Sequence, residues 1–313
     1  MAVTAQQVKE LRDMTGVGMM DCKKALAETN GEMEAAIDWL RTRGLAKAAK
    51  KAGRVAAEGL VGVVVEGTKA SIAEVNSETD FVARNDQFQS IVGNVAKLAL
   101  DAGGDVGKLS GMPYPGSGRS VSAELTDAIA KIGENMNLRR TATLSVTDGV
   151  IGSYVHNTVK AGLGKLGVIV ALESTGDKVA LAGLGKQIAM HIANTNPLSI
   201  SPDDIDQDVV ARERAIFTEQ AKESGKPAEV VAKMVEGRVR KFYEESTLLA
   251  QTFVIDGETK VADVVKNAEK DVGASIKVTG FVRYALGEGI EKEETDFAAE
   301  VAATAGLSAP DPK

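Results

Sequence analysis

One cysteine, two histidines and one tryptophan among 313 residues leave little of the usual catalytic and metal-binding repertoire. With Cys22 alone, no intrachain disulfide and no cysteine-built zinc site can form, and a single thiol suits a reducing compartment. Cys22 itself reads as a small packed side chain rather than a nucleophile. His156 and His191 stand far apart, with no H-E-x-x-H and no His/Cys cluster, so neither a metal site nor a catalytic triad is expected. No G-x-x-x-x-G-K-[ST] occurs, which removes the common phosphate cradle. No apolar run reaches the ~20 residues of a membrane span. The opening MAVTAQQVKE lacks the basic-then-apolar order of a secretory leader and the Arg-rich character of a transit peptide. A net charge of −7 lacks the basic footprint by which general nucleic-acid binders displace counterions. A cytoplasmic protein is expected, with no cofactor, no metal, no direct nucleic-acid contact and no membrane association.

What remains is the composition of an ordinary globular chain, 44% hydrophobic and 26% charged, long enough for two domains. Residues 4–44 predict three short helices: one capped by Thr4 and carrying Val8 and Leu11, one from Asp21 to the Asn30-Gly31 stop, and a third ending at Gly44. LAKAAKKAGR follows, placing Lys47, Lys50, Lys51 and Arg54 on a further Ala-rich helix. That helix is either a solvated linker or a contact for an acidic partner or RNA. From Leu60 the period changes to that of strands, with LVGVVVEG and KASIAEVN split by a Gly67-Thr68 hairpin turn. Helices over QFQSIVGNVAKLAL and AELTDAIAKIGEN flank a Gly- and Pro-rich loop at 103–119. LRRTATLSV, VIGSYVHN and KLGVIVALES read as strands, and LAGLGKQIAMHIAN as a helix closing at Asn196-Pro197. The order strand, strand, helix therefore occurs twice and suggests two similar α+β halves.

Residues 203–250 are charge-rich and helical on either side of Gly225-Lys226-Pro227, an αα-hairpin with an apolar stripe. Val209, Ile216, Val231, Met234, Val235, Val239 and Phe242 make that stripe, either as the seam between the arms or as a partner surface. SIKVTGFVRYALGEG predicts a late strand returning to the second half, and the tail a short amphipathic helix on which Phe297 and Val301 share a face.

Two motifs call for chemistry. GLGKLG at 162–167 is a literal G-x-G-x-x-G, but a dinucleotide site needs a strand before it and a helix after it, and here a strand follows. The tetrapeptide Glu78-Thr79-Asp80-Phe81 recurs at 294–297, setting two of only seven phenylalanines among polar residues. The first copy falls on a strand-to-helix connection, where binding residues concentrate. Its ring is either a partner anchor or a core plug.

VKELRDMTGVGMMDCKKAL, KAAKKAGRVAAEG, EVNSETDFVARN, KIGENMNLRR, IGSYVHN, QIAMHIA, SGKPAEVVAKMVEGR and GEGIEKEETDFAAEV together resemble the bacterial type of translation elongation factor Ts family, across essentially the whole chain. The resemblance implies an α+β fold with an N-terminal three-helix, ubiquitin-associated-like bundle and linker helix (1–55). A two-subdomain α+β core follows (56–146, then 147–202 with 251–286), with an inserted antiparallel hairpin (203–250) and a short C-terminal helical module (287–313). It implies a guanine-nucleotide exchange factor for elongation factor Tu, not an enzyme, with no chemical active site of its own. Thr79, Asp80, Phe81 and Val82 match the loop that displaces the partner's magnesium. Ile151, Gly152 and His191 match further partner contacts, and the hairpin is a surface through which two complexes could associate. The rival expectations are a dinucleotide-binding protein using Gly162–Gly167 and an adaptor built on the three-helix unit.

Overall fold

Most strands of this chain alternate their side chains between two cores, not between a core and water, and that alternation sets the architecture. The computed structural model describes residues 3–15 and 17–291. β1 (Glu58–Glu66) and β2 (Lys69–Ser77) form the expected antiparallel hairpin, and β3 (Met136–Ser145) pairs with β2. β4 (Gly149–His156), β6 (Leu166–Glu173) and β7 (Lys277–Ala285) form a second antiparallel sheet, with β6 central. Val61, Val63, Ala70 and Ile72 of the first sheet meet Ile151, Ile169 and Ala171 of the second in a buried layer. The intervening residues point the opposite way. Leu60, Ala73 and Val75 pack on helices covering the first sheet, and Val168, Val170 and Leu172 on helices covering the second. Helix, sheet, sheet and helix are thus stacked in four layers, an α+β fold.

Glycines permit the closest approaches. A Cβ on Gly152 would stand 2.3 Å from the Gly185 carbonyl carbon in α7 (Lys178–Thr195), so β4 and α7 touch backbone to backbone. Gly62 plays the same part beneath α4 (Asp86–Ala102), where a Cβ would lie 2.9 Å from that of Ala96. The motif GLGKLG is sheet, not phosphate loop. Leu163–Gly164 is β5, which pairs with β1 and completes the first sheet, and Gly167 faces Val61, Val63 and Ile72 across the sheet interface. Glu74 is fully buried on that same interface side, hydrogen-bonded by Arg140 Nε at 2.5 Å, Arg139 Nη1 at 3.1 Å and the Gly287 N–H at 2.8 Å. Desolvation pushes its carboxyl up, but the bonds from Gly287, Arg140 and Asn76 outweigh this and hold it below the usual range.

Several expectations shift. The third helix does not stop at Gly44: α3 runs Met33–Lys51 and carries Lys47, Lys50 and Lys51, while Arg54 lies in the turn beyond it. Gly44 serves proximity instead, since a Cβ there would sit 3.2 Å from Ala130 Cβ in α6 (Val121–Ile132). α1 (Ala5–Thr15) and α2 (Met19–Glu28) complete the bundle around Leu11, Cys22, Leu26 and Leu40, and burial raises the Cys22 thiol pKa. The 103–119 segment carries α5 (Val106–Gly111), pinned by fully buried Leu109 and by Asn94 donating to the Tyr114 hydroxyl at 2.8 Å. In the hairpin, α8 (Gln207–Lys222) presents Val210, Phe217 and Ala221 to α9 (Ala228–Ser246), while Ile216, expected in the seam, is exposed. α10 (Val261–Val272) joins α7 over the second sheet. The tail helix with Phe297 and Val301 lies outside the described residues.

Replacing Gly152 with Ala must push α7 off β4, and overpacking of this kind costs about 1–3 kcal/mol. Urea unfolding of Gly152→Ala is expected to show that loss; a variant as stable as the parent contradicts the backbone contact.

Candidate functional site

Phe81 lies between β2 and α4 with its ring 75% exposed, although the residues that follow it are buried. Val82 and Ala83 open a single 3-10 turn, Val82–Arg84, and drop into the core formed by Phe88, Val92 and Leu60. Asn85 then caps α4, its Oδ1 accepting the N–H groups of Gln87 at 2.9 Å and Phe88 at 3.1 Å. Gln89 donates back to the Ala83 carbonyl at 3.0 Å. Of the alternatives for this ring, partner anchor or core plug, the structure shows a ring outside the core. Val82, expected beside it at the partner, faces inward as an apolar fastening.

The other end of the loop is held by polar groups. The carboxylate of Glu134, in the turn between α6 and β3, accepts from Thr79 N–H at 2.9 Å and from Thr79 Oγ1 at 2.7 Å. Glu78 accepts from the Asn135 N–H at 2.5 Å and pairs with Arg54 at 3.3 Å. Asn135 Nδ2 donates to the Arg54 carbonyl at 2.7 Å, and the Lys51 ammonium donates to the Gly133 carbonyl. Asp80 lies 3.9 Å from Arg84 in an exposed i,i+4 pair, which contributes little. Lys51 and Arg54, with Lys47 paired to Asp21 at 2.7 Å, find partners inside the chain, which favours the linker reading of the basic segment.

Glu134 and Asn135 were not candidates on sequence grounds. A polar G-E-N turn after a helix is ordinary, and spacing alone cannot connect Glu134 to Thr79, 55 residues earlier.

The remaining candidates lie elsewhere and are buried. Ile151 belongs to the layer between the sheets, and Gly152 to the α7 contact. His191, fully buried in α7, has Nε2 2.9 Å from Gln251 Oε1, while its Nδ1 accepts the Val254 N–H at 3.2 Å. Those partners require the neutral ring with its proton on Nε2. Thr195 Oγ1 also donates to Gln251 Oε1, at 2.9 Å, and Phe253 packs 5.6 Å from the imidazole centroid. His191 therefore ties α7 to the strap that returns from the hairpin. Neither it nor Ile151 or Gly152 offers an exposed side-chain surface.

Desolvation lowers the His191 pKa, opposed by the bond to Gln251. Because the unfolded chain then binds the proton more readily, stability from this group is complete above the ordinary value of about 6.5 and declines as pH falls below it. NMR titration is expected to place the His191 ring below 6.5; a value at or above it contradicts the buried neutral ring.

Residues 78–288 match the family model described as Elongation factor TS. The chain is 64% identical over 301 residues to Elongation factor Ts of Rhizobium etli (strain CIAT 652), covering 96% of this chain and 98% of the relative. It is 60% identical over 305 residues to Elongation factor Ts of Bartonella henselae, covering 97% and 99%. Elongation factor Ts of Rhodospirillum centenum is 61% identical over 304 residues, again covering 97% and 99%. With the family model spanning most of its length and such relatives spanning nearly all of it, the chain belongs to the elongation factor Ts family.

Proposed function

We propose that this protein is a guanine-nucleotide exchange factor for elongation factor Tu in translation elongation, and that it loosens the bound nucleotide with the Phe81 loop. Family membership supports the activity. One observation carries the mechanism: an aromatic ring 75% exposed, on a loop fastened at both ends.

A nucleotide held with nanomolar affinity is worth about 12 kcal/mol, so its unaided release is slow. Magnesium bridging the phosphates to a Ser/Thr hydroxyl supplies part of that hold. An exchange factor succeeds only by binding the emptied partner better than the loaded one, and the coupling is reciprocal. Insertion of Phe81 into a site that opens when the metal shell is disturbed supplies that difference. Asp80, half-exposed beside it, comes to the partner with the ring, while Thr79 and Val82 hold the loop's two ends. Ile151, Gly152 and His191 serve the partner interface from behind, by fixing β4 and α7. None of these roles requires bond-making chemistry by the protein itself.

The same reading divides the chain into a docking bundle (1–55), two core units (56–146, and 147–202 with 251–286), a hairpin (203–250) and a C-terminal module (287–313). Ile216 and Val230, exposed on the hairpin, support association of two complexes through it. The net charge of −7 favours a protein partner over direct nucleic-acid contact, and the single thiol suits the cytoplasm.

Burying one Phe at a partner is worth about 1.5–3 kcal/mol. Phe81→Ala is therefore expected to slow stimulated release of labelled GDP from elongation factor Tu by about 10- to 100-fold, with an unchanged unfolding midpoint because the ring is exposed. An unaltered release rate contradicts the assignment.

A further inference from the structure

We propose that Glu134 is a positioning residue for nucleotide exchange: its carboxylate grips Thr79 and thereby holds Phe81 in its outward pose. The inference rests on the Phe81 reading above.

Both carboxylate oxygens are spent on one residue of the loop. Oε2 takes the Thr79 N–H at 2.9 Å and Oε1 takes the Thr79 hydroxyl at 2.7 Å. A two-point grip fixes the backbone and its rotation together, where a single bond leaves a swivel. The neighbouring contact runs the opposite way, with Glu78 accepting the Asn135 N–H at 2.5 Å, so loop and turn are laced in both directions. Ser77 Oγ closes the strand end by donating to the Thr79 carbonyl at 3.0 Å. Three residues after Thr79 the chain is in the core through Val82. Phe81 thus stands on a span of two residues, Asp80 and itself, between a polar anchor and an apolar one.

The turn that does the gripping is itself attached to the N-terminal bundle. Lys51, the last residue of α3, donates to the Gly133 carbonyl, and Asn135 Nδ2 reaches the Arg54 carbonyl at 2.7 Å. Gly133 ends α6 at φ 91° and turns the chain so that Glu134 faces the loop. Through residues 133–135 the position of Phe81 is referred to α3 as well as to the first sheet. Docking of the bundle and insertion of the ring are thereby geometrically linked.

A loop freed at Thr79 would sample poses in which the ring folds back or points along the surface, and ordering it on binding would then oppose insertion. Glu134→Gln and Glu134→Ala divide the grip: the Gln amide can still accept the Thr79 N–H and donate to the Thr79 hydroxyl oxygen, so it keeps two contacts without the charge, whereas Ala removes both.

The measurement is release of labelled GDP from elongation factor Tu, driven by full-length Glu134→Gln, Glu134→Ala, Phe81→Ala and both double variants, with unfolding midpoints recorded alongside. Losing the grip in an otherwise normal chain is expected to slow release about tenfold for Glu134→Ala and less for Glu134→Gln. In the Phe81→Ala background the same substitutions are expected to cost less than about twofold, because the object being positioned is gone. Full additivity with Phe81→Ala, or no loss from Glu134→Ala, overturns the positioning role. If Phe81→Ala itself leaves release unchanged, the Phe81 mechanism fails and the positioning role with it.

Discussion

Thr79 and Val82 hold the loop between β2 and α4 from opposite sides, one by hydrogen bonds to Glu134 and the other by burial against Phe88 and its neighbours. Phe81 lies between these attachments. An unrestrained ring would gain about 1.5–3 kcal/mol by folding onto apolar surface. The attachments leave too short a span for that, and the ring stays in water. A loop built this way is ordered in advance, so in the proposed exchange role little conformational entropy remains to be lost on contact.

The frame behind the loop is rigid for identifiable reasons. The sheets interlock through small and β-branched residues, with Gly167 admitting the side chains of Val61, Val63 and Ile72. Each sheet draws its covering helix close over a glycine, Gly62 under α4 and Gly152 against Gly185 of α7. Glu74 joins β2, β3 and the turn after β7 by gathering Arg139, Arg140 and the Gly287 N–H at one buried carboxylate. Removing one partner from such a buried charge is expensive, so the junction is held firmly in place.

Local pattern carried much of this fold into the sequence. Runs rich in β-forming residues marked β1, β2, β3, β4, β6 and β7, Gly67-Thr68 marked the first hairpin, and the strand-to-helix context of residues 78–85 singled out Phe81 over its repeat at 297. Other features were invisible because they depend on what packs alongside. Gly44 has the look of a helix stop, yet α3 continues because α6 needs that glycine for close approach. On α8, Val209 and Val210 are equally apolar, and only the pairing with α9 selects Val210, Phe217 and Ala221 for the seam. The spacing Val261, Val265, Val272 fits α10, a helix not drawn from the sequence, and Lys260 before it makes no side-chain cap. At the site, the ring could be found from its surroundings, whereas Glu134 could not, because its bond to Thr79 spans 55 residues. His191 shows the converse: a histidine within a conspicuous motif whose polar atoms are fully occupied inside the protein.

The central claim is that Phe81 acts on the hold that magnesium gives to the nucleotide, and removing the metal isolates that claim. Release of labelled GDP from elongation factor Tu should be timed with the parent chain and with Phe81→Ala, first with magnesium present and then with it chelated. If the ring works by disturbing the metal shell, the variant's deficit is large with magnesium and nearly disappears without it. An equal deficit in both conditions contradicts the mechanism and leaves Phe81 as a simple docking contact.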